Sequence, residues 1–576
     1  MGPHDLQRPP SGLPWSSQPV RDDDTLPPSM PPLSGGLMDG TPTTPLSSPD
    51  GVPAWWGTDG DPSQAPHPRR RGVSRRAVLI GAGAGALGLG ALGAAAGLLL
   101  SRQHALPDVF TTQAGQIAHL LRRAGFGPAN ADIGDYLDAG ISGSIDRLLN
   151  YSSIPDDLDS RLSAIRFNFN SAQDVVRWWT LRMIYSKRPL EEKMTLFWHG
   201  VLTSALTKVG GKKGYPLLIQ QNKLLRSLGM GKFDDLMRAI SSDPAMLIWL
   251  DGHSSTGAKP NENYARELME LFTLGITDSN GNPNYTQDDV HQGALALTGW
   301  TINRQTGKGV FVPKRHYTGT VNFLGQSRPM GLDDVVKLVC AHPSTGYHIA
   351  WRMWSFFVYE NPSQSDLQPL IDAYYHSDHT IAAMVAAMLK SPQFFSTKAY
   401  RARVKSPVEF VAGTLRGLGI ETDGAGLAPI MSNMGQLPFD PPNVSGWDGD
   451  KVSGMWMSTQ AWMTRVNFVN EVLAVASGIP LKRTRSENGV NAAGSPLQQL
   501  INDRQIGSAS DVADYFIAAL LDNTIASDRR TLVHDALTSG PQGGPTFALH
   551  GGGTVAAAAI RAALYLVMSM PEYHMN

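Results

Sequence analysis

Between Ala77 and Leu100 the chain carries 24 consecutive residues without a charge, and this run divides everything else. A helix of that length, rising about 1.5 Å per residue, extends about 36 Å and can cross a bilayer core. Arg69, Arg70, Arg71, Arg75 and Arg76 precede the run, and only Arg102 follows closely. Such an asymmetry keeps the N-terminal side in the cytoplasm and sends the rest outward. Ser74-Arg75-Arg76-Ala77-Val78-Leu79-Ile80 reads as a twin-arginine address, with Arg75 and Arg76 as the targeting pair. Residues 69–100 are therefore expected to be a twin-arginine-type signal or a membrane anchor. Between Ser101 and Leu106 small-x-small cleavage sites are poor, because Gln103 precedes Ala105 by two positions. The bland alternative is a buried Gly/Ala helix.

Gly83-Ala84-Gly85-Ala86-Leu87-Gly88 has the spacing of a dinucleotide-binding turn. That turn needs a preceding strand and a following amphipathic helix, and apolar sequence surrounds this one, so the match is rejected.

On the near side of the run, residues 1–68 hold 16 of the 40 prolines, eight aspartates and only two arginines. A segment so poor in apolar side chains cannot offset chain entropy, which predicts a disordered cytoplasmic tail. On the far side lie about 475 residues, enough for one large domain or two ordinary ones. The formal net charge of −1 leaves no basic footprint for nucleic acid. Cys340 is the only cysteine, so no internal disulfide and no cysteine metal cluster can form.

From Gln113 onward the apolar periodicity is helical. Gln116–Ala124 is expected to end on Gly125 as a left-handed cap. Pro189 opens a helix with Glu191 and Glu192 in its first turn, where they suit the dipole. Leu217, Leu218, Gln221, Leu224, Leu225 and Leu228 form a stripe closed by Gly229. Asp243-Pro244 is a cap followed by a first-turn proline, and Thr286-Gln287-Asp288-Asp289 resembles a capping box opening a helix toward Gly299. These signals predict an all-α, multi-helix globular domain over 113–576, with one small β-hairpin near 305–324.

The densest chemistry lies in Pro260–Gly275. At 100° per residue Glu262, Asn263, Arg266, Glu267 and Glu270 fall within an arc of about 140°, opposite Tyr264, Ala265, Leu268, Met269, Leu271 and Phe272. One arginine among three carboxylates is either a solvated face of i,i+4 pairs or a site. Here the sequence resembles the bacterial family called domain of unknown function 1800. The same likeness covers His119–Pro128, Glu192–Gly200, Asp243–Leu247, Leu297–Trp300, Val404–Phe410 and Pro441–Trp447, in order. The resemblance implies a mostly helical exported protein, often encoded beside an exported protein of the alkaline-phosphatase superfamily. It also places the Arg266 helix at the family's most recognisable block, from which Arg266 is expected to be buried against Glu262, Glu267 or Glu270. The family's Trp-His-x-His has Val201 at its second histidine position. Its His-Asp-x-Gly-x-Lys block stands here as His316-Tyr317-Thr318-Gly319-Thr320-Val321, without the Asp or the Lys.

Single residues follow from this. His199, after two aromatics on an apolar helix, is read first as a hydrogen-bonded core residue and second as a metal ligand, with His316 a weaker candidate ligand. Catalytic candidates are His199, Glu262, Arg266, Glu267 and Glu270. Trp300 and Trp447 could stack on a sugar or plug the core, and the plug is favoured. No phosphate-binding loop, G-x-S-x-G elbow or H-E-x-x-H pair occurs, and the sequence leaves any cofactor unknown. The expectation is an exported or membrane-anchored component of the cell envelope, structural or interacting in role. An acid/base or metal-assisted hydrolase and a glycan-binding module stand as alternatives. The expected partners are the twin-arginine export machinery, the membrane and an alkaline-phosphatase-superfamily protein.

Overall fold

The computed structural model describes residues 109–128, 133–211, 213–477 and 496–576. The address at Arg75 and Arg76, the run to Leu100 and the tail over 1–68 lie outside the described residues. Among the described residues no helix is long and apolar enough to cross a membrane.

The fold is all-α: among the described residues there are 23 α-helices and three two-stranded ribbons, besides short 3-10 and π turns. A single apolar cluster runs from Ile117 to Tyr573 and joins helices from both ends of the chain. Trp179, Trp198, Trp354, Phe233, Phe272 and Phe410 are among its largest fully buried side chains. The last residues are tied in as well, since Lys405 N–H donates to His574 O (2.8 Å) and Asn576 N–H to Arg403 O (2.7 Å).

Local signals set many helix starts. Asp243 accepts from Met246 N–H and Pro244 takes the first helical position of Pro244–Trp249. Thr286 and Asp289 complete a reciprocal capping box at the head of Gln287–Ala296. Ser406 and Glu409 do the same at Pro407–Gly417. Such caps satisfy amide donors that no intrahelical carbonyl can reach.

One expectation needs correction. The helix Gln113–Arg123 ends before Gly125, and the positive φ falls on Gly127 (φ +99°), whose N–H reaches back to Leu121 O (3.0 Å). Gly125 is small for another reason: a Cβ there would stand 2.9 Å from Leu121 O and from Pro189 Cβ. The small hairpin expected near 305–324 is present, as two short ribbons, Trp300–Ile302 with Gly309–Phe311 and Val321–Phe323 with Gln326–Arg328. A third pairs Thr546–Ala548 with Thr554–Ala556. Strands of three residues are too short to show a period of two.

Glu192 lies in the first turn of Pro189–Val201, as expected, and also does more than suit the dipole. It is fully buried, receives Trp179 Nε1 (3.0 Å), and joins Arg182 (3.0 Å) and Arg226 (2.8 Å) across three helices. Burial alone would raise its pKa, but Arg226 and then Arg182 outweigh it and hold the carboxyl below its ordinary range.

Candidate functional site

The acidic helix is built as the sequence suggests for six residues and then changes pitch. Asn261 caps it by accepting from Asn263 N–H (2.9 Å), and Glu262–Glu267 is α-helical. Leu268–Phe272 then winds as a π-turn, with Thr273 Oγ1 donating to Leu268 O (2.6 Å). Tyr264, Ala265, Leu268, Met269 and Phe272 are buried, as the apolar arc requires.

The polar arc faces the helix Gln287–Ala296. Arg266 reaches Glu262 (3.4 Å) and Gln287 Oε1 (3.0 Å), Gln287 Nε2 donates to Glu262 (3.0 Å), and His291 meets the same carboxylate (3.2 Å). Arg266 keeps 38% of its side-chain exposure and Glu262 35%, which corrects the expectation that Arg266 is buried. The network is a half-open surface lattice.

The π-turn separates Glu270 from that lattice and gives it Tyr285 as partner, the hydroxyl donating at 3.1 Å. Burial, and then the Glu270 charge, push Tyr285 up to about 12. Burial also raises the Glu267 carboxyl, helped by Glu270 and opposed by Arg266. Glu267 and Glu270 on this helix, with Tyr285 from the chain before Gln287–Ala296, are thus the groups here best suited to acid/base chemistry.

His199 lies elsewhere, in the core. It packs against Trp179 (5.2 Å), Trp447 (5.6 Å) and Phe439 (5.7 Å), and its Nε2 accepts the Phe439 N–H (3.1 Å). Burial lowers its pKa to about 3, so the ring is neutral and can accept. Phe439 has φ +68°, a conformation a bulky residue avoids, and His199 helps hold it there. These partners share nothing with those of Glu262. Trp447 is 3% exposed and cannot stack on a sugar in this state. Trp300 is half-buried beside Phe311, while His316 bonds Thr298 O (3.0 Å) and meets Phe311 edge-on. Among the described residues no three His, Cys, Asp or Glu side chains are grouped to hold a metal ion.

Beside His199 the structure assembles a second polar place that the sequence reading missed. Gly200 O receives Arg352 Nη2 (3.3 Å) and lies so close to Gly446 (φ +82°) that a Cβ there would stand 2.3 Å away. That approach brings Asp450, three residues beyond Trp447, against the helix Pro343–Phe357. Burial pushes the Asp450 carboxyl up to about 7, although Arg403 and Arg352 oppose it. Nearby, Lys193 is fully buried, donating to Gly125 O (3.0 Å) and pairing with Glu409. The only sequence hint was proximity: Gly200 and Trp447 each end a block that carries the family resemblance.

A model described as protein of unknown function DUF1800 matches residues 119–575, and the chain belongs to that family. No curated protein and no solved structure matches it.

Proposed function

We propose that this family member is an exported or membrane-anchored helical component of the cell envelope, working by structure or interaction. The observation that carries the reading is the address, Arg75-Arg76 followed by 24 uncharged residues. The basic flank before the run and its near absence afterwards support an orientation with the domain over 113–576 outside the cytoplasmic membrane. Export by the twin-arginine route delivers cargo already folded, which suits a domain whose long-range ion pairs form only on folding. The half-open lattice of Glu262, Arg266, Gln287 and His291 supports an interacting role, because it offers both charges to a polar partner. An exported alkaline-phosphatase-superfamily protein is the partner proposed from the family's usual gene neighbourhood.

A second reading, an envelope hydrolase using acid/base groups, is favoured by the desolvated Glu267 beside Glu270 and Tyr285. His199 does not serve it, since its accessible chemistry is spent on Phe439. A glycan-binding role would fall on Trp300 alone.

Protease added to spheroplasts tests the primary reading. The domain should be digested in intact spheroplasts, and carbonate extraction should separate an anchored chain from a released one. Protection until the cells are lysed would overturn the envelope assignment.

A further inference from the structure

Three elements meet at a narrow cleft beside His199. The end of the helix Pro189–Val201 gives Phe197, Gly200 and Val201, the helix Pro343–Phe357 gives Arg352 and Ser355, and Asp448–Lys451 gives Asp450. Its volume is about 10 Å³, near the room that one water needs, so only the tip of a ligand enters.

The polar atoms in this cleft are prepared and unfilled. Ser355 is 2% exposed and its Oγ has no hydrogen-bond partner, and neither has the shielded Asp450 Oδ1. Arg352 spends one contact on Gly200 O (3.3 Å). Arg403 fixes the arrangement by donating to Ser355 O and to Gly449 O (3.4 Å) and Asp450 O (3.3 Å). A Cβ on Gly200 would stand 2.8 Å from Asp450 Oδ2, so glycine there leaves the carboxyl its place. Buried polar groups left unpaired destabilise the fold, and a ligand that pairs them recovers that cost.

Charge selects the ligand. Arg403, Arg352 and Lys193 face Asp450 from other elements, and Lys451 and Asp448 lie on its own. Glu409 is the other carboxylate acting on Asp450, and Lys193 already pairs with it. Cations outnumber anions, which disfavours a metal and favours an oxyanion. A planar carboxylate presents a narrow edge to so small a cleft, whereas a tetrahedral oxyanion does not.

We propose that this cleft binds the carboxylate end of a small molecule or chain, between the Arg352 guanidinium, the Ser355 hydroxyl and the Asp450 carboxyl. The raised Asp450 supports this, because the carboxyl keeps its proton up to about pH 7 and can donate. Binding therefore weakens as pH rises through neutrality. The inference goes beyond the envelope reading and stands whether or not the chain is exported.

The test uses the purified full chain with acetate as probe. The thermal midpoint is followed against acetate, with chloride at matched ionic strength, at pH 6 and pH 8. Acetate should raise the midpoint at pH 6 with about tenfold weaker apparent affinity at pH 8. Asp450→Asn keeps a donor without a titrating proton, so its acetate response should be equal at both pH values. Ser355→Ala should lose most of the response, and reads the site even where Arg352→Met fails to fold. Equal stabilisation of parent and Ser355→Ala would be a general salt effect and would overturn the proposal. So would an Asp450→Asn variant that keeps the parent's pH dependence, or inorganic phosphate acting more strongly than acetate.

Discussion

Glu192 and Arg226 form a two-pronged ion pair, Nε to Oε1 and Nη2 to Oε2 both at 2.8 Å, with the carboxylate wholly shielded from solvent. Arg182 approaches the same carboxylate from a third helix. A buried carboxylate with two guanidinium partners makes the helices mutually dependent, because losing it leaves two cations shielded and unbalanced.

Glu192→Gln should cost about 3–5 kcal/mol, the range for removing one partner of a buried pair. Urea unfolding of the domain would measure it. The sign with pH follows from the depressed folded pKa: the stabilisation is present above the unfolded carboxyl value and is lost as pH falls through the folded one. The gap between parent and variant should therefore narrow in acid.

Arg266→Ala should be mild, at most about 1 kcal/mol, because the ion pair is half-exposed and screened by water. A destabilisation of several kcal/mol in the same urea series would mean that the helix depends on Arg266 as a buried strut.

His199→Leu removes the acceptor of the Phe439 N–H and should cost about 1–3 kcal/mol, the penalty of a buried unpaired donor. Chelator treatment of the parent should leave the thermal midpoint unchanged. A midpoint that falls on chelation and not further on mutation would make His199 a ligand.

Asp243 gives a pH prediction of the opposite sign to Glu192. Burial raises its carboxyl to about 7, against the hydrogen bonds from Met246 and Gln221. A raised acid stabilises the fold fully below the unfolded pKa, and that stabilisation is lost as pH rises through about 7. Asp243→Asn keeps a capping oxygen for Met246 without the titration. Its stability relative to the parent should rise between about pH 4 and pH 7 and then level off, as read from thermal midpoints across that range.

What the sequence made legible was local. Thr286 with Asp289, and Asp243 with Pro244, are neighbours whose side chains act within one turn, so spacing alone reveals them. The bland reading of His199 was legible for a similar reason, since Leu196, Phe197, Trp198 and Val201 are its near neighbours in sequence. The charged framework was not, because Lys193 and Glu409 are 216 positions apart and Arg122 and Asp522 are 400 apart. No local pattern marks such pairs. The arc drawn through Glu262, Arg266 and Glu270 assumed a constant 100° per residue, and the π-turn at Leu268–Phe272 breaks that assumption. Asp450 was missed because nothing in Trp447–Asp450 announces burial; its carboxyl is enclosed only when Gly200 and Gly446 come together.

Delivery of this folded domain to the envelope stands or falls with the twin-arginine pair. Arg75 and Arg76 are both replaced by lysine, which keeps the charge, and a reporter fused after residue 110 is followed across the membrane. Export should be abolished, with the reporter accumulating in the cytoplasm. Undiminished export of the lysine variant would contradict delivery by that route.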